Sequence, residues 1–259
     1  MKPDAAQSDP TGRVAVVTGG GSGLGESICH HLGRQGHHVA ILDRDTAAAE
    51  RVAADVRAQG AKALAVFADV ADQTSVNTAF DTARSEFGPI EILVTSAGVS
   101  GFTPFQDITL DEWNRYIAVN LTGTFLCAQA AIGDMVDAGW GRIVTISSAA
   151  GQTGALRQGH YSATKGGVIA FTKTLALEYA ARGITVNTVP PFTIDTPMLR
   201  AAQDAKHLPA AKYISRVIPS GRVGSGDDIG ATCAFLCSDA AGYITGQVIA
   251  VNGGAVMSG

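Results

Sequence analysis

From Arg13 onward the chain keeps one rhythm: a short run of apolar, mostly β-branched residues, a turn, then a longer segment whose apolar positions recur at helical spacing. The strand-like runs are Val14–Val17, Val39–Leu42, Ala63–Phe67, Ile92–Val94, Ile143–Ile146, Ile184–Val189 and Val248–Val251. Helical patterns fill the gaps at Leu24–Gln35, Thr46–Gln59, Thr74–Phe87, Leu110–Ala138, Ala163–Arg182 and Asp227–Cys237. Strands apolar at nearly every residue have no wet face, so they belong in a sheet covered on both sides. The alternation predicts α/β architecture: a doubly wound parallel sheet with helices on both faces.

No Pro/Ser-rich linker or charge block divides the 259 residues. Residues 13–259 therefore read as a single domain, and the polar, Pro-containing stretch 1–12 as a flexible N-terminal tail. Two segments break the rhythm, Gly98–Asp107 and Phe192–Ser225. Both follow strands, where loops border the ligand crevice of an open parallel sheet. The second is long enough for a lid carrying one or two short helices, around 192–225.

Composition excludes several classes of partner. The net charge is -4, and Lys and Arg are scattered, which leaves no basic footprint for nucleic acid. The start of the chain has no apolar signal region, and no run reads as long enough to span a bilayer, so a soluble protein with no membrane partner is expected. Cys29, Cys127, Cys233 and Cys237 lack metal or redox spacing and fall in helical segments, as expected of reduced thiols in a cytoplasmic protein. His30-His31 and His37-His38 are adjacent pairs that cannot converge on one ion, and no metal site is expected. His160, next to Tyr161, could reach the pocket mouth but reads better as a surface residue.

Two motifs carry chemistry. The first strand runs into Thr18-Gly19-Gly20-Gly21-Ser22-Gly23-Leu24-Gly25 and then a helix. Glycines permit positive φ and close approach of a pyrophosphate, and the helix start offers unpaired N–H groups to it. Asp43, closing the second strand, is placed to accept from both ribose hydroxyls of a dinucleotide and to repel a 2′-phosphate, which favours NAD over NADP. Arg44, beside it, is the complication. Asp69-Val70, closing the third strand, could hold adenine, or Asp69 could start a helix. The second motif is Tyr161-Ser162-Ala163-Thr164-Lys165. On a helix the phenol and ammonium share a face, which would let the lysine stabilise a tyrosinate.

Together these residues resemble the short-chain dehydrogenase/reductase family. The glycine turn, Asp43, Asp69-Val70, Asn120, Ser148 and the Tyr161-x-x-x-Lys165 pair stand in that family's order, and the likeness runs from Arg13 to Val256. The resemblance implies a Rossmann-type fold of about seven parallel strands, a nicotinamide cofactor, hydride transfer at an alcohol or carbonyl, and a homotetramer. It implies that Tyr161 is the acid/base and that Lys165 holds the nicotinamide ribose and lowers the tyrosine pKa. Ser148 would orient the substrate oxygen, with Ser147 as the less well spaced alternative. Asn120 would interrupt its helix and position a water linking Lys165 to solvent. Cofactor contacts are implied for Gly19, Ser22, Gly23, Leu24, Gly25, Asp43, Asp69, Val70, Thr95, Ala97, Gly98, Tyr161, Lys165, Ile194 and Thr196.

The chain departs from the family pattern at Thr95-Ser96, where two amides are usual, and at Phe192, where glycine is usual after Pro191. The two hydroxyls could provide some of the lost hydrogen bonds, and at Phe192 either the loop runs differently or the ring walls the substrate pocket. Phe102, Phe105, Leu156, Phe192, Met198 and Leu199 could line that pocket or form lid core. The expected activity is NAD-dependent interconversion of a secondary alcohol and a ketone on a lipophilic or cyclic substrate. Two alternatives stand beside it, an NADPH-dependent 3-oxoacyl-thioester reductase and a non-catalytic nucleotide sensor.

Overall fold

The computed structural model describes residues 12–257; the expected tail lies outside the described residues except for Gly12. Six parallel strands form one sheet in the order β3-β2-β1-β4-β5-β6. They are β1 Val14–Thr18, β2 His38–Asp43, β3 Ala63–Phe67, β4 Ile92–Thr95, β5 Gly141–Ile146 and β6 Ile184–Val189. Strand parity divides the core in two. Ala15, Val17, Val39, Ile41, Ile92, Val94, Val144 and Ile146 point to one face; Val14, Val16, Ala40, Leu42, Leu93 and Ile143 point to the other. Burial on both faces explains the unbroken apolar runs.

The helices are α1 Gly23–Arg34, α2 Thr46–Ala58, α3 Gln73–Phe87, α4 Leu110–Tyr116, α5 Gly123–Ala138, α6 Ala149–Thr153, α7 Gly159–Tyr179, α8 Pro197–Asp204, α9 Ala211–Ile214 and α10 Gly226–Leu236. Helix α1 shows why the sequence pattern was readable. Gly25, Ile28, Cys29, Leu32 and Gly33 are its buried positions, at spacings of three and four. Asp45 and Asp72 cap α2 and α3 by accepting from Ala48 N–H and from Thr74 and Ser75 N–H, and Ser225 and Asp228 form a capping box on α10.

Three expectations need correction. The seventh strand is not a strand: 248–251 lies alongside β6 but meets the Thr188–Pro191 stretch only in isolated bridges, Thr188 to Val248 and Pro191 to Val251. Pro190, the next residue whose N–H would face that segment, has none to give, so the ladder stops. The long helix 110–138 is three pieces, α4, a π-helical turn at Ile117–Thr122, and α5. Taken as one stretch, Leu110–Ala138 is long and apolar enough to cross a bilayer, contrary to expectation. In this fold Leu126, Cys127, Ala128, Ala131 and Met135 instead go into the second core. The third correction is His160, which is fully buried.

The segment 192–225 carries α8 and α9, whose Leu199 and Ile214 pack with Ile218, Leu208 and Val223 in a small separate core. Leu199 is thus lid core.

Candidate active site

The strand order reverses between β1 and β4, and the loops leaving the carboxyl ends of the strands on either side enclose a cleft of about 290 Å³. This is where open α/β sheets hold ligands. Gly19, Ser22, Gly23 and Leu24 line it from the β1 turn, Asp43 and Arg44 from β2, and Asp69 and Val70 from β3. Ser96, Ala97 and Gly98 follow β4, and Thr196, Pro197 and Met198 close the lid side.

The glycine turn is built for close approach. Gly19 has φ of 65°, and a Cβ there would stand 2.7 Å from the Ala97 Cα. A Cβ on Gly25 would stand 2.0 Å from Gly19 O, so Gly25 packs α1 on the turn and lies outside the lining. Ser22, at the N-cap of α1, makes no side-chain cap bond, so the helix start keeps donors for an anion in the cleft. Asp43 Oδ2 accepts from Gly21 N–H at 2.9 Å and Oδ1 from Asp45 N–H at 3.0 Å. Each oxygen keeps a lone pair for a further donor. Arg44 leans toward Asp69, 3.7 Å away. Glycine cradle, free helix start and acidic strand end fit a nicotinamide dinucleotide.

The Thr95-Ser96 departure divides. Thr95 is buried, its hydroxyl has no hydrogen-bond partner, and it stands outside the cleft lining, whereas Ser96 is part of it. Ile194 is also buried in the core, and its carbonyl accepts from the Thr196 hydroxyl at 3.4 Å. That hydroxyl in turn caps α8 through Leu199 N–H. Phe192, 41% exposed, stands outside the cleft lining, and Phe105 and Leu156 are more exposed still.

Beyond the cleft sit Ser148, Tyr161, Lys165 and Asn120. Ser148 caps α6, accepting from Ala150 N–H at 3.2 Å, and stands close enough to the Tyr161 hydroxyl to pull its pKa down. Ser147 is turned away, accepting from Thr188 at 2.8 Å. Tyr161 and Lys165 share a face of α7, with the ammonium 5.9 Å from the ring centroid. Lys165 Nζ donates to Ile146 O at 2.8 Å. A Cβ on Gly98, which lines the cleft, would lie 3.5 Å from Lys165 Nζ and 3.3 Å from Asn120 Oδ1, so the group adjoins the cleft.

The electrostatics differ from expectation. Tyr161 is half-buried, and burial raises its pKa; Ser148 opposes this and Tyr116 adds to it. The lysine is not what moves the tyrosine. Burial lowers Lys165 itself to about 8. Asn120 is fully buried in the π-helical turn. Its Oδ1 accepts from Val99 N–H at 2.8 Å, and Nδ2 donates to Val99 O at 3.0 Å and Thr164 Oγ1 at 3.2 Å. The side chain therefore clamps the loop after β4.

Among the described residues, one cluster of potential metal ligands exists: Glu26, His30 and Asp55. Arg51 is ion-paired to both carboxylates.

A dinucleotide cleft at the switch point with a serine, tyrosine and lysine beside it defines a nicotinamide-dependent oxidoreductase acting on CH–OH or keto groups. The chain belongs to the short-chain dehydrogenase/reductase family: residues 19–256 match the family model described as Enoyl-(Acyl carrier protein) reductase. It is 38% identical to D-threitol dehydrogenase of Mycolicibacterium smegmatis over 94% of this chain and 92% of that one. It is 40% identical to 3-oxoacyl-[acyl-carrier-protein] reductase FabG of Aquifex aeolicus over 94% and 97%. Among solved structures it superposes on levodione reductase with a TM-score of 0.89 at 32% identity, covering 93% of this chain and 96% of the other.

Proposed function

We propose that this protein is an NAD-dependent dehydrogenase interconverting a secondary alcohol and a ketone on a lipophilic or cyclic substrate. The observation that carries this reading is the juxtaposition of Tyr161 with Ser148 and with buried Lys165, at the edge of a glycine-turn cleft. A bound nicotinamide dinucleotide supplies the hydride donor or acceptor. Gly19, Ser22, Gly23 and Leu24 would hold its phosphates, Asp43 its adenosine ribose, Asp69 and Val70 its adenine, and Lys165 its nicotinamide ribose. Ala97, Gly98 and Thr196 would complete the cradle.

The chain's own residues move the proton. Ser148 donates to the substrate oxygen and orients it, and Tyr161 gives or takes a proton there. Burial keeps the phenol protonated near neutral pH, the form that ketone reduction requires. Alcohol oxidation requires that proton to be drawn off first, and Lys165, with its pKa lowered to about 8, is the adjacent group that exchanges protons most readily. The link from Lys165 toward solvent would run past the π-helical turn at Asn120.

NAD is favoured because Asp43 would face a 2′-phosphate and Arg44 is drawn to Asp69. The second reading, an NADPH-dependent 3-oxoacyl-thioester reductase, is supported by the 40% identity to a FabG. A sensor would need the glycine turn but not the Ser148–Tyr161 pair. Exposed Phe125 and Leu177 on α5 and α7 support a homotetramer, and four buried free thiols support a reducing cytoplasm.

The test is turnover of levodione, D-threitol and acetoacetyl-CoA with each cofactor, followed by nicotinamide absorbance. Tyr161→Phe should lower turnover by roughly 100-fold or more while NADH binding persists. Wild-type turnover in that variant overturns the assignment, and a clear preference for NADPH with acetoacetyl-CoA selects the second reading.

A further inference from the structure

The residue before the catalytic tyrosine is buried and fully engaged. Helix α7 begins without a side-chain cap, since Gln158 at its N-cap makes none. Tyr161 N–H, one of the donors left over at a helix start, instead donates to His160 Nδ1 at 2.8 Å. A backbone N–H can only donate, so Nδ1 is the acceptor and Nε2 carries the ring hydrogen. That hydrogen faces Glu112 Oε1 at 3.1 Å. The same oxygen accepts from the Thr103 hydroxyl at 2.8 Å. The His160 ring lies flat on Tyr116, with centroids 3.8 Å apart and planes at 13°. Further bonds run the same way. Gln158 Nε2 reaches Ser100 Oγ and Gly101 O at 3.1 and 3.2 Å, and Thr103 N–H reaches Arg157 O at 2.8 Å. Arg157 is held at φ of 63°, a conformation that a side chain disfavours.

We propose that His160 is a positioning residue: through Glu112 and Thr103 it ties the first turn of α7, and with it Tyr161, to the loop 98–107 that walls the substrate side of the cleft. The proposal rests on Tyr161 being the acid/base. The shape of the pocket wall and the reach of the phenol are thereby tied together by this buried relay, alongside the Gln158 and Arg157 bonds. A merely structural histidine would support its own helix. This one makes two segments move together.

Hydrogen exchange of the full chain tests the coupling without a substrate. In His160→Leu the segments 98–107 and 158–163 should both exchange about tenfold faster, on the scale of one hydrogen bond's net contribution. His160→Asn keeps an acceptor near the Nδ1 position but cannot reach Glu112, so it should restore 158–163 and leave 98–107 loose. Thr103→Val, at a partly exposed site, should loosen both segments more mildly, and combined with His160→Leu should add little. Turnover should follow, with kcat falling by up to about 100-fold while NADH binding changes little. Unchanged exchange at 98–107 in His160→Leu, or additive effects in the double variant, overturns the proposal. If His160→Leu does not fold, Thr103→Val decides, and unchanged exchange at 158–163 is then the refuting result. Tyr161→Phe separates the two ideas. Full activity there removes the catalytic reading, while the exchange data stand or fall independently.

Discussion

Lys165 carries an ammonium into a site only 5% exposed, where Ile146 O is its hydrogen-bond acceptor, and its pKa falls from 10.5 to about 8. A base with a lower pKa in the folded state binds its proton less well there than in the unfolded chain. Its charge therefore subtracts from stability below about pH 8, and the penalty fades as pH rises toward 10.5, because over that window the unfolded chain holds more protons. Lys165→Met removes the penalty but leaves Ile146 O unpaired, a cost independent of pH. The absolute difference between wild type and variant is therefore uninformative, and its change with pH is the measurement. Urea unfolding at pH 7.5 and pH 10.5 should show the wild type gaining on the variant by roughly 3 kcal/mol; a constant difference would show that the site does not hold the lysine in a dry environment. At this scale the sequence was legible where chemistry is local. Tyr161 and Lys165 could be paired by type and spacing and Ser148 singled out by the resemblance, whereas His160 looked like a surface residue because its partner Glu112 lies 48 positions earlier. The pKa direction of Tyr161 was not legible either, since burial outweighs a spacing argument and only the fold shows the burial.

The interrupted helix is the element on which the cleft depends. Apolar periodicity through Leu110–Ala138 predicts one helix, and nothing in the hydrophobic pattern marks the π-helical turn at Ile117–Thr122. The turn places Asn120 inward, where it holds both backbone groups of Val99. Such turns cluster at functional sites, and the resemblance that singled out Asn120 found the position but not the clamp. Asn120→Ala leaves Val99 N–H and C=O without these partners in a site that is largely dry. At about 1–3 kcal/mol per orphaned group, the variant should lose roughly 2 kcal/mol or more in urea, with the slope unchanged. NADH affinity should fall with it, because Gly98 and Val99 line the cleft. Asn120→Asp keeps an acceptor for Val99 N–H and should fall between the two. Loss of stability with NADH affinity intact would show that the clamp serves the fold alone. The missing seventh strand is a contrasting case. Pro190-Pro191 stands in the sequence as a visible ladder breaker, but the apolar run Val248–Val251 outweighed it in the pattern.

Across the whole molecule the two-sided core was legible because strand parity and helix spacing are properties of consecutive residues. The placement of the four thiols followed from the same patterns, and they predict how the fold ends at high pH. Cys29, Cys127, Cys233 and Cys237 are all buried. Burial raises Cys127 and Cys237 from 9.0 to about 12, and Cys29 and Cys233 are also raised. An acid with a raised folded pKa keeps its proton in the native state after the unfolded chain has released it, so stability falls with pH above about 9. Each thiol contributes about 1.4 kcal/mol per pH unit once past that point. Four together outweigh the single opposing lysine, whose gain ends near pH 10.5. Stability measured in urea should therefore drop steeply between pH 9 and 11, and a variant with all four cysteines changed to alanine should lose most of that slope while being less stable at pH 7 from lost packing. Native protein should also react with a thiol reagent no faster than it unfolds, with all four sites modified together. Rapid modification of any one of them, or a flat stability profile to pH 11, would place that thiol outside the core.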